Sequence, residues 1–123
     1  MALAISRGFE TALTKRELLN QGFSMKPSLI PSDFDFQKNL PLWRLDESKA
    51  AIHREFVFTD FQEAFKFMTS CAQYAEELDH HPDWSNSWNK VVVHLTTHSS
   101  KGLTDLDIQM AKAMDALAIQ AMR

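Results

Sequence analysis

The strongest constraint in this sequence lies between Asp60 and Leu78. Phe61, Ala64, Phe65, Met68, Cys71, Ala72, Ala75 and Leu78 recur at helical spacing behind an Asp60/Glu63 pair with the spacing of a capping box. The pattern predicts an amphipathic helix of about 18 residues with a wide apolar face. It ends near Asp79, because Pro82 disfavours helical backbone at the residue before it. A helix of this kind needs an apolar layer to lie on, and the period switches from 3.6 to 2 on both sides of it.

On the N-terminal side, Ile52, Arg54, Phe56 and Phe58 alternate with His53, Glu55, Val57 and Thr59, which is strand periodicity. Trp43 to Leu45 reads as its partner strand, with Asp46-Glu47-Ser48-Lys49 as the turn. On the C-terminal side, Trp84 to Trp88 reads as a short strand, Asn89-Lys90 as a turn, and Lys90 to Thr97 as a valine-rich strand. Pleating sends Val92, His94, Thr96 and His98 to one face and Val91, Val93, Leu95 and Thr97 to the other. Thr104 and Asp107 then form a further capping box. Behind them Leu103, Leu106, Met110, Ala113, Met114, Leu117 and Ala121 form the stripe of a last helix. Ile108, Ala111, Ala118, Ile119 and Met122 widen that stripe, so this helix is expected to serve a subunit interface as well as a core.

Residues 1–42 differ from this core at 43–123. Thr14-Lys15-Arg16-Glu17 ahead of Leu18 and Leu19 predicts a short first helix. Residues 20–42 carry Pro27, Pro31 and Pro41 without a clear period and read as an extended loop or arm. The order is αββαββα. Hairpins imply an antiparallel sheet, and helices between them imply one covered face. The fold class is α+β, a four-stranded antiparallel sheet with helices packed on one face, in a single domain.

Composition narrows the function. The 123 residues carry a formal net charge of −3, which argues against broad contact with a nucleic-acid backbone. No apolar run approaches the length of a spanning helix. The single cysteine, Cys71, excludes an intrachain disulfide framework and suits a reducing compartment. The expectation is a soluble, cytoplasmic protein, with nuclear residence also open to it. Three glycines cannot build a glycine-rich phosphate cradle, whereas five histidines suit acid–base or metal chemistry.

The densest polar cluster is Glu76-Glu77-Leu78-Asp79-His80-His81-Pro82-Asp83-Trp84, where a helix ends and a strand begins. Glu76 lies four residues before His80, so a carboxylate can orient an imidazole there. His98, at the end of the valine-rich strand after Thr96-Thr97, is placed to line a pocket. Asp107 reads first as the acidic member of its capping box. Trp43 and Trp84 read first as core, with the flat walls of a heteroaromatic pocket as the alternative. A metal site built on Asp79, His80, His81 and His98 is disfavoured, because adjacent histidines are an awkward pair for one ion. His94 and His98 fall roughly 13 Å apart on a strand. Cys71, on the apolar helix face, reads as inert packing.

Three runs in register carry a resemblance. They are Glu76-x-x-Asp79-His80-His81-Pro82-x-Trp84, then Trp88-Asn89-Lys90-Val91, then Thr96-Thr97-His98-x-x-x-Gly102-Leu103-Thr104-x-x-Asp107. Together with Phe56-x-Phe58-x-Asp60-Phe61 and Ala64-Phe65-x-Phe67-Met68, they closely resemble the pterin-4a-carbinolamine dehydratases over about residues 43–122. The resemblance implies loss of water from 4a-hydroxytetrahydrobiopterin to give quinonoid dihydrobiopterin, in pterin recycling. It implies no metal and no organic cofactor, the pterin being the substrate. It also implies His80 and His98 as the main acid–base pair, His81 placing the substrate, and Glu76 orienting His80 or contacting the pterin. Asp79, Pro82, Trp84, Thr96 and Thr97 would shape the pocket, and Asp107 would support it. Implied partners are further copies of the chain, as homotetramer or homodimer, and in some members a transcription factor's dimerisation helix. Three features depart from the family pattern: the long link before Trp43, Trp88 in place of a frequent tyrosine, and Leu106 where some members carry a basic residue.

Overall fold

The computed structural model describes residues 27–122. The elements run α1 (Phe36–Asn39), β1 (Arg44–Leu45), β2 (Ile52–Val57), α2 (Phe61–Leu78), β3 (Asp83–Ser87), β4 (Lys90–Leu95), a 3₁₀ turn (His98–Ser100) and α3 (Asp105–Ala121). The helix expected at Thr14–Leu19 lies outside the described residues. The segment read as an extended loop or arm holds the four-residue α1, capped by the Asp35 side chain, which accepts from the Lys38 N–H.

The four strands form one antiparallel sheet in the order β1-β2-β4-β3. β2 and β4 pair at its centre, with Ile52 opposite Leu95 and Phe56 opposite Val91. That register places the buried Ile52, Phe56, Val91, Val93 and Leu95 on one face. His53, Glu55 and His94 point to the other, as the alternation requires.

α2 and α3 cover the apolar face. The Asp60 side chain accepts from the Glu63 N–H, and the Glu63 side chain accepts from the Thr59 N–H, fixing the start of α2. The buried face of α2 is Ala64, Phe67, Cys71 and Ala75. The Phe67 ring lies tilted against those of Phe56 and Phe58, with centroids 4.6 Å and 5.1 Å away. The face is rotated from the expected stripe: Phe67 joins it, whereas Phe61 and Phe65 are exposed and stack on each other at 5.7 Å. With phenylalanine at 61, 65 and 67, spacing alone allowed two adjacent apolar faces, and the small Ala64, Cys71 and Ala75 mark the one that meets the sheet. α3 buries Met110, Ala111, Met114, Ala118 and Ala121 and leaves Ile119 and Met122 exposed. Across the layer, the indole N–H of Trp43 donates to Asp115 of α3 at 2.8 Å, and Arg54 of β2 pairs with the same carboxylate.

Two turns differ from expectation. Ser87 pairs with Lys90, so the β3–β4 turn is Trp88-Asn89 rather than Asn89-Lys90. Trp88 takes a left-handed φ of 51° there and is exposed. The Asn89 side chain donates to the Phe58 carbonyl at 2.8 Å, and the Phe58 N–H donates back to the Asn89 carbonyl, holding the turn to the end of β2. β4 stops at Leu95, so His98 sits in the 3₁₀ turn and not on a strand. The chain reverses there because Thr97 and Gly102 bridge each other through their backbones.

Candidate active site

The end of α2, the end of β4 and the start of α3 converge at one end of the sheet, and the residue types at those ends shape a cleft of about 290 Å³. Asp79, His80 and His81 come from the end of α2. Thr96, Thr97, His98 and Ser99 follow β4, while Pro27 and Leu106 close the cleft from the N-terminal segment and the first turn of α3.

The way α2 ends explains where its two histidines go. The His80 N–H donates to the Ala75 carbonyl and the Asp79 N–H to the Glu76 carbonyl, the paired bonds of a Schellman motif. Its left-handed position, usually glycine, is occupied by Asp79 at φ 53° and ψ 44°. A short polar side chain tolerates that conformation better than a branched one. The reversal sends His80 inward, where it is 8% exposed, and leaves His81 on the surface.

His80 then meets Asp107. Its Nε2–H donates to Asp107 Oδ1 at 2.6 Å, and Asp107 is fully buried. The other carboxylate oxygen accepts from the Thr97 hydroxyl at 2.7 Å and from the Thr104 N–H at 3.0 Å. The backbone N–H can only donate, so this face of Asp107 is an acceptor. The Thr97 hydroxyl has one proton and gives it to Asp107, so the Thr104 hydroxyl, 2.7 Å away, donates to Thr97. Thr104 Oγ1 in turn accepts from the Leu106 N–H at 3.3 Å. Each donor thus has a direction, running from the first turn of α3 through two hydroxyls to the carboxylate. One consequence is chemical: with Nε2 committed to Asp107, Nδ1 is the His80 nitrogen that this carboxylate does not hold.

Glu76 pairs with the other histidine. Its Oε2 accepts from His81 Nε2 at 2.6 Å, so the expected Glu76–His80 partnership is replaced by Glu76–His81 and His80–Asp107. The i, i+4 argument required one more helical turn, and the Schellman reversal ends the helix before it. His98 lies exposed on the cleft wall. Thr96 also lines it but donates its hydroxyl to the Ala50 carbonyl at 2.6 Å.

Of the residues singled out from sequence, Asp79, His80, His81, Thr96, Thr97 and His98 meet at the cleft. Asp107 stands directly behind it, and Glu76 is at its edge through His81. Pro82 and Trp84 are not in its wall; Trp84 packs against the core from the inner face of β3. Trp43 is buried in the core as well, so neither indole forms a flat wall there. Sequence reasoning passed over Pro27, Ser99 and Thr104. Thr104 was visible only as a helix cap, although a capping threonine and a capping aspartate bring two polar groups to one point.

Comparison with known proteins shows the family. Residues 31–117 match the family model described as pterin 4 alpha carbinolamine dehydratase. A Rhizorhabdus wittichii protein, provisionally named pterin-4-alpha-carbinolamine dehydratase, is 48% identical over 95 residues, covering 77% of this chain and 98% of that protein. Among solved structures, a transcriptional coactivator/pterin dehydratase from Brucella melitensis superposes with a TM-score of 0.65 at 42% identity, covering 88% of this chain and 99% of the other. A pterin dehydratase-like protein described as a RuBisCO assembly factor in the alpha-carboxysome shares the fold, with a TM-score of 0.55 at 22% identity over 62% of this chain and 88% of that one. The chain thus belongs to the pterin-4-alpha-carbinolamine dehydratase family.

Proposed function

We propose that this protein removes water from 4a-hydroxytetrahydropterins, giving the quinonoid dihydropterin, with 4a-hydroxytetrahydrobiopterin as the natural substrate in tetrahydrobiopterin recycling. The observation that carries the reading is the His80–Asp107 pair at the cleft. A buried carboxylate holds one imidazole nitrogen, which orients the ring, and the other nitrogen has no hydrogen-bond partner among the described residues.

The reaction needs two proton transfers. The N5 proton leaves to a base, the N5 electron pair forms the C4a=N5 bond, and the C4a–O bond breaks as an acid protonates the departing hydroxyl. We assign the base to His80 through Nδ1 and the acid to His98 across the cleft. His81, held by Glu76, positions the substrate, and Asp79, Thr96 and Thr97 shape the wall. Positioned acid–base groups typically give about 10²–10⁴-fold each, which suits a carbinolamine that already dehydrates unaided. The test is turnover of freshly generated 4a-hydroxytetrahydropterin, followed by its absorbance. Acceleration proportional to protein concentration supports the reading, and the uncatalysed rate at all concentrations refutes it.

A second reading rests on the exposed Phe61–Phe65 stack of α2. Such a pair on a helix face favours association with another helix. We assign it to self-association into a homotetramer or dimer, and the Brucella relative described as a coactivator makes a transcription factor's dimerisation helix a further occupant. Light scattering tests this: a monomer mass, unchanged by a helical partner, removes the interaction reading and leaves the dehydratase reading intact.

A further inference from the structure

The proline-bearing segment ahead of the core has a place in the site. Ser28–Ile30 is strapped along the start of α3. The Ser28 N–H donates to Asp105 Oδ1 at 3.1 Å, and the Asp105 N–H donates back to the Ser28 carbonyl at 3.1 Å. Leu29 bridges Thr104, and the Ile30 N–H donates to the Leu103 carbonyl at 3.1 Å. Pro27, next to this two-way clamp, enters the cleft wall with Leu106.

Pro27 and Leu106 differ in kind from the rest of the wall. The other described lining residues bring carboxylate, imidazole and hydroxyl groups. A bicyclic heteroaromatic has polar edges and apolar faces, and ligand sites ordinarily meet such faces with apolar surface. Among the described residues, Pro27 and Leu106 are the apolar ones in this cleft. Pro27 also suits the task chemically: its ring is rigid, and it brings no N–H that a bound ligand would leave unsatisfied. The family match begins at residue 31, so this contribution lies outside the part of the chain that the family model matches.

We infer that Pro27 contacts the substrate directly, with the Ser28–Asp105 clamp as the device that positions it; this rests on the dehydratase reading above. Pro27 contributes apolar surface to the bound pterin and takes no part in proton movement. Its loss therefore weakens binding and leaves the chemical step intact.

The experiment is a fluorescence titration of the full chain with 7,8-dihydrobiopterin, paired with steady-state dehydration kinetics and a thermal melt of each variant. Pro27→Gly is expected to raise both the dissociation constant and KM about five- to tenfold, with kcat within about twofold of the parent. Asp105→Ala, which removes the clamp's side-chain acceptor, is expected to move KM in the same direction, and Asp105→Asn, which keeps a carbonyl acceptor, to restore it. If the parent binds and turns over pterin while Pro27→Gly and Asp105→Ala do so with unchanged KM, the inference is overturned and the dehydratase reading stands. If the parent itself neither binds nor turns over pterin, the dehydratase reading fails, and the inference fails with it. A drop in kcat at constant KM in Pro27→Gly also overturns it, since that would place Pro27 in the chemistry.

Discussion

His80 Nε2 lies 2.6 Å from Asp107 Oδ1, and the carboxylate is wholly buried. One carboxylate therefore caps α3, anchors Thr97 and orients the imidazole at the cleft. Asp107→Asn cannot do all three. Its NH₂ faces either His80, which then takes the tautomer with the proton on Nδ1 and loses that nitrogen as a base, or the Thr104 N–H, a donor against a donor. The variant should lose about 1–3 kcal/mol of stability and at least about 10²-fold in kcat. A thermal melt and a turnover assay on the same sample check both, and full activity with a perturbed melt would show that Asp107 is structural alone.

Thr97→Val keeps the shape of the side chain and deletes the hydroxyl that links Thr104 to Asp107. It leaves the Thr104 hydroxyl without its acceptor and Asp107 with one donor fewer. The expected cost is about 1–3 kcal/mol in denaturant unfolding. Thr97→Ser, which retains the hydroxyl, should recover most of it.

Asp79 occupies the left-handed position that ends α2, and the direction of both histidines depends on it. Asp79→Gly relieves that conformation and should leave stability unchanged or slightly raised. Asp79→Val places a branched side chain where it is disfavoured by about 1–2 kcal/mol. Chemical denaturation of the two variants separates them, and equal stability would contradict the reading of this turn.

The Glu76–His81 pair is exposed on both sides, at 67% and 56%. Pairs of this kind contribute about 0–1 kcal/mol. Glu76→Gln should therefore leave the melting temperature nearly unchanged while raising KM severalfold through a less constrained His81. A large loss of stability would show that Glu76 does more than position its neighbour.

Cys71 is fully buried on the inner face of α2, and burial pushes its thiol well above the ordinary value of 9.0. The folded state keeps the proton where the unfolded chain loses it. This contribution to stability is thus intact below about pH 9 and declines as pH rises beyond it. At pH 8, a thiol reagent should modify Cys71 at least about a hundredfold more slowly in the native protein than in denaturant. Rapid native labelling would contradict the packing described.

The sheet and its two long helices were legible because their signals are periodic and local. Asp60/Glu63 and Thr104/Asp107 mark helix starts, and the alternation around Phe56 and Val93 marks strands. The direction of α2's apolar face was not, because Phe61, Phe65 and Phe67 offer two overlapping stripes, and only contact with Phe56 and Phe58 selects one. Six residues of the cleft wall were legible, but their pairing was not. Histidines 80 and 81 and the carboxylates 76 and 107 were all singled out, but the pairing depends on a left-handed residue at Asp79 that spacing rules do not register. Pro27 was hidden for a different reason: its place follows from backbone bonds between Ser28 and Asp105, 77 residues apart, and no local pattern encodes them.

The central claim is that His80 and His98 move the two protons of a pterin dehydration. Stopped-flow absorbance of 4a-hydroxytetrahydropterin, generated in the mixing chamber, measures it directly for the parent and for His80→Ala/His98→Ala, with both proteins shown to be folded by the same melt. The account predicts rapid, protein-dependent decay for the parent and the uncatalysed rate for the double variant. A folded double variant that still accelerates the decay would contradict it.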